Sequence, residues 1–411
     1  MIAADYINFI ARNRRLAAFG FLMAMGSSFG QTYFIGIFGP SVQAEFGLSH
    51  TAWGTIYMLG TLASAFVLPW SGKQLDRFPL APFAIFTCTL LGIASGVMSQ
   101  VNGTVMLVIA IFLLRQGGQG LMSHVALTTM ARHFSIERGR AIAVATLGFA
   151  VGEATLPFIC VAAIAVIGWR STYLASAACL LLLWVPAAWW LLRRHGSTPP
   201  SDIATAGNTT PDAPVRSWTR KEVISDLRFY LLLPSILAPS MIVTAMFFHH
   251  LTLADAKGWS HAWVTGNYVV FAIASIATSL VAGRLIDRYS SARLMPFLLS
   301  PLAVAMVLLA TADSTWVVVP YFMLLGLNTG LSHTAVPALW AELYGVEHLG
   351  AVRSLAASMS VFASALGPVT AGSLMDIGMP IEQVCVVFAC VAVLSSILVR
   401  LALRSTHSRA P

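Results

Sequence analysis

Two residues in this chain carry formal charge where the flanking sequence is hydrocarbon: Arg115 in "VMLVIAIFLLRQGGQGL" and Glu153 in "ATLGFAVGEATLP". Arginine cannot shed its proton, because its pKa lies above about 12, and its planar fork can hold a carboxylate through two parallel hydrogen bonds. Glutamate can take up and release a proton. Such residues have three uses. They can form a structural ion pair. The arginine can be the electropositive end of a site for an anionic solute, held by the glutamate until solute arrives. The glutamate can instead be a proton site whose titration the arginine couples to other events. The residue types leave all three open.

The elements that must position these charges are membrane helices. Of the 411 residues, 57% are hydrophobic and only 10% charged, whereas soluble domains are about a quarter charged. Apolar runs of about 18 residues or more, enough to cross about 30 Å of hydrocarbon at 1.5 Å per residue, recur along the chain. Twelve are expected, near 17–42, 51–71, 82–99, 104–130, 140–167, 170–192, 228–252, 260–282, 294–311, 315–341, 350–375 and 380–402. Arg115 is then about 16 Å into the fourth span and Glu153 about 18 Å from the start of the antiparallel fifth. Their depths agree within a helical turn, so the two are expected to meet. An arginine at mid-span costs about 2.5–3.5 kcal/mol on insertion scales, so it must face protein, an anion or water.

The net charge of +8 reflects topology. With the N-terminus placed in the cytoplasm, all 24 Lys and Arg except Arg115, Arg170 and Lys257 fall on the cytoplasmic side. Positive residues retain loops there, which puts both termini of this multi-pass chain on the cytoplasmic side of the inner (plasma) membrane and excludes a nucleic-acid footprint. The N-terminal stretch lacks a cleavable signal core. The five cysteines sit in spans without metal-ligand spacing, so neither a metal nor a disulfide framework is expected. No cofactor motif and no phosphate loop is present, so ATP does not drive this protein directly.

The chain repeats itself. "GKQLDRF" at 72–78 recurs as "GRLIDRY" at 283–289, 211 positions on, and the same offset carries 139–157 onto 350–368. Two parallel six-helix halves follow, 1–192 and 228–411, joined by a Pro-, Ser- and Thr-rich cytoplasmic linker, 193–227, in which "WTRKEVI" is expected as a short surface helix. At this point the sequence resembles the major facilitator superfamily. The residues that carry the likeness are Gly72, Asp76 and Arg77, their repeat Gly283, Asp287 and Arg288, the arginine of the fourth span and the glycine-rich fifth span. The resemblance implies an all-α fold of twelve transmembrane helices in two pseudo-symmetric bundles. It implies that the doubled motif is a conformational latch, with Asp76 held near a helix end in the same half and Arg77 paired with a nearby acid. It further implies that the first, fourth, seventh and tenth spans line a solute cavity. Their mid-depth polar residues include Gln31 and Tyr33, Arg115 and Gln119, and Asn328.

The first span, "SFGQTYFIGIFGPSVQAEFGLS", is similar to bacterial relatives of monocarboxylate and oxalate/formate transporters. Glu153 stands where drug antiporters usually have proline. The expected function is therefore a secondary transporter moving a small organic anion, such as a monocarboxylate, by alternating access with proton symport. Proton-driven efflux of drugs or other hydrophobic solutes is the alternative. A polytopic enzyme or receptor is the minor one, since the outer loops carry no catalytic constellation and no soluble domain is present. The expected partners are a small solute, a proton and the bilayer, and the expected state is a monomer. His124 and His333, at near-repeat positions, are read as hydrogen-bonded structural groups or as gating groups. His249, His250, Trp184, Trp189 and Trp190 are expected at the membrane interface.

Overall fold

A computed structural model describes residues 2–134, 137–193, 217–345 and 347–404. All regular structure among them is helical. Ten helical stretches are long and apolar enough to cross a bilayer, and the difference from twelve has a local cause at each end of the first half. The first span is broken: Arg14–Gly26 runs into a 3-10 turn at Ser27–Gly30, Gln31 is extended (φ −84°, ψ 158°), and helix resumes as Thr32–Gly36 and Gly39–Phe46. The fifth and sixth spans are joined as one stretch through Arg138–Cys179, interrupted by Gly168 at φ 76°, a left-handed conformation costly for any residue with a Cβ.

The chain divides into two compact units, Met1–Leu48 with Thr55–Gly207, and Ser49–Gly54 with Asn208–Pro411. Their internal packing follows one scheme. In the first unit the first span lies against the fifth, and the third (Leu80–Ser99) against the sixth (ending in Val185–Leu192). In the second unit the seventh span (Leu227–Ala256) lies against the eleventh (Leu349–Asp376), and the ninth (Ser300–Thr311) against the twelfth (Ile381–Arg404). The partners one-five and three-six thus recur six spans later, so the repeat read in sequence is also a repeat in packing. Helices in lipid gain no hydrophobic drive from one another and associate through close van der Waals contact and small residues. Glycines supply that contact in both units: a Cβ on Gly148 would lie 2.3 Å from the Phe21 carbonyl oxygen, and one on Gly367 2.2 Å from that of Met241.

At the linker end of the second unit, Val223, Phe229, Leu339, Trp340, Tyr344 and Val399 form one buried cluster. Val223 belongs to the short helix Arg220–Ser225, which a capping box starts: the Thr219 hydroxyl accepts from the Glu222 N–H, and the Glu222 carboxylate accepts from the Thr219 N–H at 2.8 Å. The expected surface helix is therefore docked by its one buried apolar residue. Residues 194–216, most of the expected linker, lie outside the described residues.

Candidate functional site

Arg115 is 2% exposed. It opens a π-helical stretch, Arg115–Met122, set between Thr104–Leu114 and Ser123–His133 of the fourth span. The sequence there is "RQGGQGLM", and its glycines remove the side chains that would crowd a widened turn. Such π segments recur at functional sites. The stretch faces the 3-10 turn of the first span, so two irregular backbones meet, and they do so at glycine. A Cβ on Gly30 would lie 2.1 Å from the Leu114 carbonyl oxygen, and one on Gly118 would lie 2.6 Å from the Gly30 Cα.

This close approach brings the guanidinium to the first span. Its Nη1 donates to the Gly30 carbonyl at 3.3 Å and to Thr32 Oγ1 at 3.4 Å, and its Cζ lies 5.3 Å from the centre of the Tyr57 ring. Thr32 and Tyr57 share a hydroxyl–hydroxyl hydrogen bond. The buried Nε has no partner among the described residues. Both hydrogen bonds are long, and every group around the cation is neutral. A π face contributes about 0.5–2 kcal/mol to a cation, less than a buried guanidinium loses on leaving water.

The expected contact with Glu153 is not made: among the described residues no ion pair joins it to Arg115. The first span packs against both helices: Gly30 meets the fourth at Leu114 and Gly118, and Ser28 meets the fifth at Gly152. A Cβ on Gly152 would lie 2.1 Å from Ser28 Oγ, so the fifth span meets the first two residues before the Gly30 carbonyl that Arg115 engages. Glu153 instead acts electrostatically on Tyr33, whose hydroxyl donates to Ser28 Oγ at 2.8 Å. The interrupted first span thus meets the cation through Gly30 and Thr32 and the carboxylate through Tyr33.

The other predicted polar residues separate. Gln31 is partly exposed, and its carbonyl accepts from Phe34 and Ile35 at 3.2 and 3.0 Å, restarting the helix after the break. Gln119 is exposed on the π segment. Asn328 belongs to the second unit and is fully buried; its Nδ2 donates to the Leu298 carbonyl at 2.8 Å, and its Oδ1 has no partner among the described residues. Sequence reasoning missed Gln116. It is buried, accepts from Ser64 Oγ at 3.0 Å and donates to Ser71 Oγ at 2.7 Å, tying the π segment to the second span. Its place one residue after Arg115 in a glycine-rich run was the available signal.

The two copies of the repeated loop differ in conformation. After Gly72, the first forms a 3-10 turn, Lys73–Asp76, and the Asp76 carboxylate pairs with Arg132 near the end of the fourth span. Arg77 makes no ion pair among the described residues. In the second copy Gly283, Asp287 and Arg288 continue the helix Tyr268–Tyr289; Asp287 is exposed, and Arg288 lies over the Tyr289 ring at 5.2 Å. His249 and His250 are buried rather than interfacial. His250 bridges the hydroxyls of Tyr268 (2.9 Å) and Tyr321 (2.7 Å), and His249 Nε2 lies 3.1 Å from the Pro368 carbonyl. Trp184 is likewise buried, donating to the Leu22 carbonyl at 3.0 Å, whereas Trp189 and Trp190 are exposed and stack with Arg193.

The helical stretches of membrane-crossing length in both units fit a polytopic membrane protein, and the family match makes it a transporter. The chain belongs to the Major Facilitator Superfamily, whose family model matches residues 20–269 and 267–411. Among solved structures it is similar to a bacterial homolog of the human lysosomal transporter Spinster in an inward-facing, unoccupied conformation, with 12% identity, a TM-score of 0.72 and 98% of each chain covered. It is also similar to the nucleoside transporter NupG, with 12% identity, a TM-score of 0.70, and 95% of this chain and 98% of that one covered. At such identity the likeness is one of fold. No curated protein matches the sequence significantly.

Proposed function

We propose that this protein is a secondary carrier that moves a small organic anion, a monocarboxylate being the preferred class, by alternating access. A proton is the coupling ion, and both termini lie on the cytoplasmic face of the inner membrane. One observation carries the reading: a permanently charged guanidinium is buried within the fourth span with only neutral groups around it. A cation left so is stabilised most by an anion that arrives, binds and leaves, and arginine's fork suits a carboxylate. Glu153, with no cation partner among the described residues, is the proton site of this mechanism, with Tyr33 beside it. Uptake of a labelled carboxylate, such as benzoate, into proteoliposomes is expected to rise when a pH gradient is imposed. Movement of lipophilic cations alone, with no carboxylate flux under either condition, would refute the proposal.

A further inference from the structure

The second unit holds a pocket of about 470 Å³ among the seventh, tenth and eleventh spans. Neither Arg115 nor Glu153 touches it. Arg353 enters from the first turns of the eleventh span, Thr329, Ser332 and His333 from the tenth, and Ser240 from the seventh, while Trp340 forms part of an apolar wall. Arg353 is about 6 Å from the start of its helix and Thr329 about 22 Å from the end of the tenth span, so the pocket runs from the linker end of the unit toward its middle.

Its electrostatic character is one-sided. Arg353 is exposed and makes no ion pair among the described residues, and no Asp or Glu lines the pocket. Glu342, an acid on the tenth span, is engaged elsewhere, accepting from the Ala292 N–H at 3.0 Å. Several span hydroxyls in this unit return their proton to their own helix: Ser235 to the Leu232 carbonyl at 3.0 Å, Ser358 to Ser354 at 2.9 Å, Thr370 to Leu366 at 3.0 Å. That is the ordinary resting place for a span serine or threonine. Ser240, Thr329 and Ser332 make no such bond among the described residues, and the buried Ser332 Oγ has no hydrogen-bond partner among them. Several unspent donors beside one uncompensated cation form a receptor for an acceptor-rich anion.

We infer that this pocket is a second anion subsite. It takes the carboxylate of an organic acid on Arg353, with Ser332, Thr329 and Ser240 donating, and the apolar body of the acid against Trp340. Its place in a transport cycle rests on the carrier proposal above; its binding chemistry does not.

The test places a thiol in the pocket by Ser332→Cys in a cysteine-free background. Its reaction is timed with a sulfonate-bearing and a trimethylammonium-bearing methanethiosulfonate. The sulfonate reagent is expected to be favoured over the cationic one, and Arg353→Gln to lower that rate ratio at least tenfold. Benzoate is expected to slow the reaction severalfold, and its neutral isostere benzamide to leave it unchanged. A rate ratio indifferent to Arg353→Gln, equal protection by benzoate and benzamide, or protection by inorganic phosphate alone would each overturn the subsite. The carrier proposal fails separately, by absent carboxylate flux, and protection by benzoate would leave the subsite standing in that event.

Discussion

At the residue scale, the account concerns a cation that costs the fold something. Arg115 has long hydrogen bonds, an aromatic face and an unpartnered Nε, but no carboxylate among the described residues. A structural ion pair would make its removal destabilising by about 3–5 kcal/mol, because an unpaired glutamate would remain. Here the reverse is expected: Arg115→Gln should raise the thermal unfolding temperature of the purified protein in detergent, since it deletes an uncompensated charge. A fall of several degrees would instead reveal a structural arginine. Glu153→Gln is expected to retain carboxylate exchange while abolishing its response to an imposed pH gradient; a wild-type response would remove Glu153 from the coupling step. The sequence made both charges visible because a charge in an apolar run is rare. It could not show their separation, because contact depends on how a third helix packs against both.

At the element scale, the first span matters most, and its form was the least legible. Its apolar composition reads as one span, 17–42, with glycines that permit bending, while the structure has a 3-10 turn, an extended residue and two short helices. The opposing π segment was equally hidden, although "RQGGQG" marked the place where a backbone could approach closely. Both irregularities depend on glycine at the contact. Gly30→Ala or Gly118→Ala would drive a methyl into backbone atoms and is expected to cost about 1–3 kcal/mol, the range for overpacking a filled interior, read as a lowered unfolding temperature. Unchanged stability in both variants would show that the two segments separate freely.

A second element-scale device lies beyond the end of the first span. The Glu45 carboxylate accepts from Arg170 Nε at 3.0 Å and from Trp169 Nε1 at 2.7 Å, while Arg170 Nη1 donates to the Ser99 carbonyl at 2.8 Å. These contacts join the ends of the first, third and sixth spans. The Arg170 hydrogen bonds hold Glu45 below the usual carboxylate range. A carboxyl lowered by folding stabilises the native state at pH above its unfolded value, about 4.3, and loses that contribution as pH falls through the lower folded value. Glu45→Gln should therefore lower stability at pH 7 and narrow its gap from wild type toward pH 3, as measured by unfolding temperature against pH. Arg170 drew notice in sequence only as an exception to the charge asymmetry of the loops.

At the scale of the whole molecule, the repeat was the most legible feature. One offset aligned separate segments, and the structure returns the same helix pairings in each unit. Composition fixed the membrane class because hydrocarbon tolerates only hydrogen-bonded helices or closed barrels. Local differences between the repeats were not legible, since similar sequence at Gly72 and Gly283 yields a turn in one copy and continuous helix in the other. That asymmetry makes Asp76 the member to test. Its pair with Arg132 is exposed and contributes at most about 1 kcal/mol to stability. Asp76→Asn is accordingly expected to leave the unfolding temperature nearly unchanged while altering the rate of uptake severalfold. Unaltered uptake would reduce the motif to a solvated turn.

Initial benzoate uptake into proteoliposomes under an inward-directed proton gradient, compared between wild type and Arg115→Gln at matched insertion, tests the central claim most directly. A substitution that removes a buried charge partner from a bound anion costs about 2–5 kcal/mol, so uptake by the variant is expected to fall at least about thirtyfold. Uptake by Arg115→Gln equal to that of wild type would contradict the assignment of this arginine to the anion.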